Sequence, residues 1–202
     1  MKKRNAFITG ATGSIGFEIS KSLIERGYNV FLTGRDAVVL NKNVGYLRKI
    51  GNGSAFGKTC DLSNAQNVYS LISFARNKLG DYSILINAAG VYPQEELFEL
   101  DDPAIMQAFN VNVITPLVLT REIAKDMKKN NWGRIVNIGS SSSYYGFKNG
   151  SLYCASKHAL LGFSRAIHEE LKQHNVRSYC ISPSSTQKFG SRQIASTLLG
   201  MV

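Results

Sequence analysis

The chain runs to 202 residues, 44% of them hydrophobic, and its 24 Lys and Arg outweigh 14 Asp and Glu to give a formal charge of +10. Length and apolar content together suit one domain, 1–202, with a substantial core. The positive excess favours anionic ligands, but only Lys2 to Arg4 and Lys125, Lys128 and Lys129 cluster, and no nucleic-acid motif accompanies them, so no nucleic-acid partner is expected.

Six apolar runs, at 6–9, 30–33, 54–59, 84–87, 134–138 and 176–181, alternate with segments of helical spacing. The first run ends in Gly10-Ala-Thr-Gly-Ser-Ile-Gly16, and a helical pattern follows through Glu18, Ile19, Leu23 and Ile24. A strand feeding a helix through such a turn can seat a pyrophosphate on backbone N–H groups. An ordinary tight turn would carry the same glycines. Gly34-Arg35-Asp36 follows the second run, Asp61 the third, Asn87-Ala-Ala-Gly90 closes the fourth, Ser140 follows the fifth and Pro183 the sixth.

Between the fourth and fifth runs, Asn112 lies in a helical segment four residues before Pro116. Proline has no N–H for the carbonyl four residues back, which predicts either a freed Asn112 carbonyl or a simple kink. Beyond the fifth run, Tyr153 and Lys157 stand four apart on a predicted helix, with Ser140 thirteen residues upstream of the tyrosine. Positions i and i+4 share a helical face, so the ammonium is expected to favour the ionised phenol and lower its pKa.

Strands alternating with helices predict an α/β fold, a Rossmann-type doubly wound parallel sheet with helices on both faces. The runs are continuously apolar, as doubly buried strands are. The polar residues gathered after them would then face one crevice, at the carboxyl ends where such sheets bind ligands.

Cys60, Cys154 and Cys180 are odd in number and widely separated, the usage of a reducing compartment, so a cytoplasmic protein with buried thiols is expected. His158, His168 and His174 carry no pairing carboxylate motif, and no metal site is expected. No run of about eighteen apolar residues occurs, and Met1-Lys-Lys-Arg-Asn5 leads straight into the first apolar run, so neither a membrane span nor a signal segment is expected.

These elements, in this order over roughly 5–185, resemble the short-chain dehydrogenases/reductases of the single-domain type that includes carbonyl and 3-oxoacyl carrier-protein reductases. The resemblance implies an oxidoreductase moving a hydride between NADP(H) and a carbonyl or alcohol substrate. Tyr153 would give and take the proton, Ser140 would hydrogen-bond the carbonyl oxygen, and Lys157 would hold the nicotinamide ribose and lower the phenol pKa. Asn112 would anchor a relay water.

For the cofactor, the resemblance implies Gly10, Thr12, Gly13, Ser14, Ile15 and Gly16 at the phosphates, and Asp61, Leu62, Asn87, Ala88 and Gly90 on the adenosine side. Tyr153, Lys157, Pro183 and Thr186 would lie at the nicotinamide end. Asp61 and Asn87 also suit ordinary turn or cap duty. Arg35 can fork a 2′-phosphate, which favours NADP. Asp36, one residue on, keeps NAD open.

The chain departs from the family pattern at Ser14, where glycine is usual, and after Pro183, where too few residues follow for a full lid, helix and last strand. One short helix over 191–199 and a missing C-terminal strand are expected, leaving an open sheet edge. That shortened tail admits a rival reading as a non-catalytic nucleotide-binding sensor or assembly subunit.

The substrate partner would be a small carbonyl or alcohol, or an acyl thioester on an acidic carrier protein met by Lys128, Lys129 and Lys172. Those lysines equally suit solvated helix faces. Tyr92, Pro93 and Phe98, with Tyr144, Tyr145 and Phe147, would wall the substrate pocket or simply pack together. A homo-oligomer is expected by resemblance, through the helices containing Asn112 and Tyr153.

Overall fold

A computed structural model describes residues 4–184 and 188–200. Six strands, β1 (Asn5–Ile8), β2 (Asn29–Leu32), β3 (Ala55–Gly57), β4 (Ile84–Asn87), β5 (Gly133–Ile138) and β6 (Val176–Ile181), form one sheet in the order β3-β2-β1-β4-β5-β6. Every pairing is parallel. Each expected apolar run supplies a strand, with β1 and β2 lying one residue earlier than 6–9 and 30–33, β5 starting one residue earlier than 134, and β3 shorter than 54–59. Strand order reverses beside β1, which opens a crevice between the ends of β1 and β4.

Among the described residues seven α-helices connect or follow the strands: α1 (Ser14–Glu25), α2 (Ala37–Ile50), α3 (Ala65–Leu79), α4 (Asp102–Phe109), α5 (Thr115–Lys129), α6 (Ser151–Leu171) and α7 (Lys188–Leu199). The last begins three residues before the expected 191–199, and no seventh strand occurs among the described residues. Alternate strand residues divide the core in two. Ala6, Ile8, Val30, Leu32, Ile84 and Ile86 pack with α1, α2 and α7 residues such as Leu23, Leu40 and Leu198. Phe7, Phe31, Leu85 and Ile135 face the other way, onto α3, α5 and α6 residues such as Leu71, Ile123 and Ile167. This period of two is what forces both sheet faces to be covered.

The helical stretch Asp102–Lys129 is 28 residues long and, by length and composition, apolar enough to cross a membrane, with 44% of its most apolar window buried inside the protein. The sequence reading missed it because polar residues interrupt the apolar ones. In the structure α5 packs on α3 and on the sheet, as the core helix of a layered domain does.

Phe7 is fully buried, 5.2 Å from the Phe31 ring and edge-on to Tyr82 at 5.5 Å. Phe7→Ala should therefore lower the unfolding free energy by about 3–5 kcal/mol in urea titration. Val38→Ala, at a residue 79% exposed, should change it by less than about 0.5 kcal/mol.

Candidate active site

The crevice begins in the turn after β1. Gly10 has φ 63°, and a Cβ there would stand 2.6 Å from the Ala88 backbone, so only glycine lets the two chains approach. A Cβ on Gly16 would lie 2.4 Å from the Gly10 carbonyl oxygen. Gly13 closes the turn, its N–H donating to Gly10 O at 3.0 Å. Side chains cap α2, α3 and α4 through Asp36, Asn64 and Asp101, whereas α1 starts at Ser14 behind Gly13 with no side-chain cap. The N-terminal N–H groups of α1 are left for an anion. Ser14 is exposed and its hydroxyl accepts from Ser191 of α7 at 3.2 Å.

A cavity of about 190 Å³ runs from this turn along the strand ends, lined by Gly10, Thr12, Gly13, Arg35, Asp61, Leu62, Ala88 and Gly90 among others. Thr12 sits against Gly34, where a Cβ would meet its side chain at 2.6 Å. Asp36 does not reach the cavity lining, and its carboxylate accepts from Val39 N–H at 2.9 Å as the α2 cap. Asp61 accepts from both the N–H and the hydroxyl of Ser63, which hold its carboxyl below the usual range. It is a turn former and a cavity wall at once.

Asn87 is buried at the end of β4. Its amide donates to Asn137 Oδ1 at 2.8 Å, and Asn137 donates on to Ser164 at 2.7 Å. Asn87 Oδ1 is buried with no hydrogen-bond partner, an acceptor that a ligand donor would satisfy. Uncapped helix, glycine cradle and orphaned acceptor together fit a dinucleotide. Pro183 is tied to the neighbouring loop by Ser141 N–H on its carbonyl at 2.9 Å. Ile15 packs partly buried on the core, and Thr186 lies outside the described residues.

Ser140, Tyr153, Lys157 and Asn112 come together beyond β4 and β5. Ser140 caps a short turn, Ser141–Ser143: its hydroxyl accepts from Ser142 N–H at 3.1 Å, and Ser143 returns the bond to Ser140 N–H at 3.2 Å. Burial pushes the Tyr153 phenol above its usual pKa, a hydrogen bond with Ser140 offsets part of the rise, and Tyr92 and Cys154 add to it. The expected lowering by Lys157 is not found. That ammonium lies 5.7 Å from the Tyr153 ring centre and donates instead to the Ile138 carbonyl at 2.8 Å. Its own burial pushes Lys157 down to about 8.

Asn112 lies in a wide helical turn, Asn110–Ile114, where Thr115 N–H bonds Asn110 O, five residues back. Pro116 has no N–H to give the Asn112 carbonyl. The side chain has a duty that the sequence reading missed. Its Oδ1 accepts from Val91 N–H at 2.9 Å, while Nδ2 donates to Val91 O and to the Ser156 hydroxyl, both at 3.0 Å. A Cβ on Gly90 would stand 3.3 Å from Asn112 Oδ1 and 3.7 Å from Lys157 Nζ, so this glycine lies between them.

Other contributors were also missed. Thr9 Oγ1 accepts from Ala88 N–H and Ala89 N–H, both at 3.1 Å, and so hangs the β4 loop from the end of β1. Asn137 was detectable in principle, as a polar residue inside an apolar run, directly across from Asn87 in register. The carrier-protein lysines do not converge on the site: Lys129 pairs with Asp81 at 3.3 Å, Lys172 with Glu169, and Lys128 lines an apolar groove between α5 and α6.

Lys157 generates a pH prediction. Its pKa in the fold lies below the 10.5 of an exposed lysine, so the unfolded chain holds more protons between about pH 8 and 10.5, and the contribution to stability rises with pH across that window. The difference in unfolding free energy between wild type and Lys157→Met should shift towards the wild type by about 3 kcal/mol from pH 8 to 10.5. A flat difference in denaturant titrations across that range would refute the assignment.

The family model described as "short chain dehydrogenase" matches residues 4–197. A putative ketoacyl reductase of Streptomyces coelicolor is 31% identical over 180 residues, covering 88% of this chain and 69% of that protein. An NADPH-dependent 1-acyldihydroxyacetone phosphate reductase of Saccharomyces cerevisiae is 33% identical over 177 residues, covering 87% and 58%. Among solved structures, a metagenomic short-chain oxidoreductase in complex with NADP superposes with TM-score 0.91 at 30% identity, over 98% of this chain and 90% of that one. With the glycine turn, the six-stranded sheet and the Ser140, Tyr153 and Lys157 cluster in place, the chain belongs to the short-chain dehydrogenase family.

Proposed function

We propose that this protein is an NADP-dependent carbonyl reductase, and in reverse an alcohol dehydrogenase. The observation that carries the reading is the meeting of Ser140, Tyr153, Lys157 and Asn112 beside a crevice floored by the glycine turn. The relatives named reductases and the neighbour complexed with NADP support it.

A bound nicotinamide would exchange hydride with the substrate carbon. Tyr153 gives its proton to the carbonyl oxygen as that hydride arrives, and takes it back in oxidation. Its raised pKa keeps the phenol protonated through neutral pH, which suits an acid. Ser140 hydrogen-bonds the same oxygen and steadies the charge that develops there. Lys157, charged below about pH 8, would orient the ribose and steady the tyrosinate left after the transfer until solvent returns its proton. Asn112 holds the Val91 loop in register with α6, which carries Lys157, for that exchange.

Arg35 and Thr12 both line the crevice beyond β2, and the carboxylate of Asp36 is committed to its cap. The Arg35 guanidinium at the end of β2 favours a 2′-phosphate over bare ribose hydroxyls, although it shares the crevice with Asp61, whose carboxyl it helps to hold down. The apolar groove between α5 and α6, with Leu117, Val118, Phe163 and Leu171 on its walls, is read as the seat of a second copy. Cys154 is buried as expected, whereas Cys60 and Cys180 are half-buried; a reducing, cytoplasmic setting is read from their odd number and wide spacing.

Two variants test the reading. Tyr153→Phe should cut NADPH oxidation on a ketone panel by about 10²–10⁴ while nucleotide fluorescence titration shows binding retained. Unchanged turnover would refute Tyr153 as the acid. Arg35→Ala should weaken NADPH about 10- to 100-fold in the same titration, from the loss of charge-assisted bonds, with NADH affinity little moved. Equal weakening of both nucleotides would remove Arg35 as the 2′-phosphate ligand.

A further inference from the structure

Above the proposed catalytic tyrosine lies an aromatic surface that neither the proton chemistry nor the nucleotide crevice uses. The Tyr92 ring stands edge-on to Tyr153 with centroids 4.6 Å apart, and Phe147 lies nearly parallel to Tyr92 at 6.1 Å. Tyr92 is nevertheless 57% exposed, so these two ring contacts hold it over the site while more than half of it faces out. Large aromatic side chains ordinarily bury such area, and an apolar surface left open at a reaction centre points to a ligand.

The two rings are held in place by backbone. Asn112 fixes Val91, the residue before Tyr92, by giving and accepting a hydrogen bond. Glu95 N–H donates to Asn149 O at 3.0 Å, tying the Tyr92 loop to the Phe147 loop. Phe147 rests on Gly150 at the start of α6, where a Cβ would lie 2.4 Å from its ring. Asn149 adopts φ 61° between them. The wall is therefore pre-built, and a substrate would not have to order it.

Beside it opens a groove of about 340 Å³ with Leu97, Phe98, Phe147 and Cys154 on its sides. Phe98 is 94% exposed. The polar groups that could bind a charged substrate are few there: Glu96 and Lys148 are of opposite sign.

We infer that Tyr92, backed by Phe147, is a specificity-determining residue that selects carbonyl substrates bearing a flat apolar ring next to the reacting group. The inference rests on the reductase reading and adds a substrate class to it. A ring stacked or set edge-on against Tyr92 extends the existing aromatic cluster, and its attached carbonyl then falls beside Tyr153, which touches the same side chain. Small aliphatic ketones reach the phenol but gain nothing from the wall.

The test compares NADPH oxidation on acetophenone and on butanone for wild type, Tyr92→Ala and Tyr92→Phe, with saturation-transfer NMR of acetophenone on the NADP⁺-loaded protein as a second readout. The wild type should favour acetophenone in kcat/KM. That preference should fall about tenfold in Tyr92→Ala, mostly through KM, in line with the worth of one aromatic contact, and survive in Tyr92→Phe. Saturation transfer should weaken only in the alanine variant. A preference that does not move in Tyr92→Ala, or a wild type that favours butanone, overturns the inference while leaving the reductase reading intact. Tyr92-dependent acetophenone contact without turnover of either ketone overturns the reductase reading and keeps the aromatic site. Neither contact nor turnover overturns both.

Discussion

The amide of Asn112 holds three parts of the protein in one register. It gives and accepts a hydrogen bond with Val91, on the loop leaving β4, and donates to Ser156 on α6, whose hydroxyl in turn bonds the Tyr153 carbonyl at 2.8 Å. The nucleotide crevice ends at Gly90, the proposed acid sits on α6, and the aromatic wall starts at Tyr92. All three are positioned by a side chain only 1% exposed. Losing it would leave the half-buried Val91 N–H and carbonyl without their partner, at a cost below the roughly 1–3 kcal/mol of a fully buried group.

The same interior carries other polar groups that a core built for stability would avoid. Lys157 is buried with a carbonyl as its hydrogen-bond partner. Asn87, Asn137 and Ser164 run in file between β4, β5 and α6, and one acceptor on Asn87 has no partner. Two apolar clusters, one on each sheet face, offset this expense. The layered core can bear it because the four inner strands bury both of their faces.

Much of this was legible before any coordinates. Continuous apolar runs mark doubly buried strands, and β4 and β6 fall on the expected residues. Glycines at 10 and 16 are legible because close backbone approach admits no other residue there, whereas a Cβ on Gly13 would meet nothing nearer than 3.4 Å. What stayed hidden depends on burial and on long-range partners. Thr9 and Ser156 carry no period that would set them apart from any other hydroxyl. The phenol of Tyr153 was expected to be lowered by Lys157, since a helical spacing reveals proximity but not desolvation or a competing carbonyl at Ile138. Asp36 offered a second reading of cofactor choice until its place as the α2 cap was known.

The wide turn at Asn110–Ile114 sets α5 at a fixed rotation relative to α4. Such a turn arises from one residue more than a regular helix would need, and each helical residue advances the angle by about 100°. Deleting a single residue there would close the wide turn to a regular one and change which side chain of 110–114 faces Val91 and Ser156. The segment is thus intolerant of miscounting as well as of exchange at Asn112. Chain length between Phe109 and Thr115 is as much a part of the site as any side chain in it.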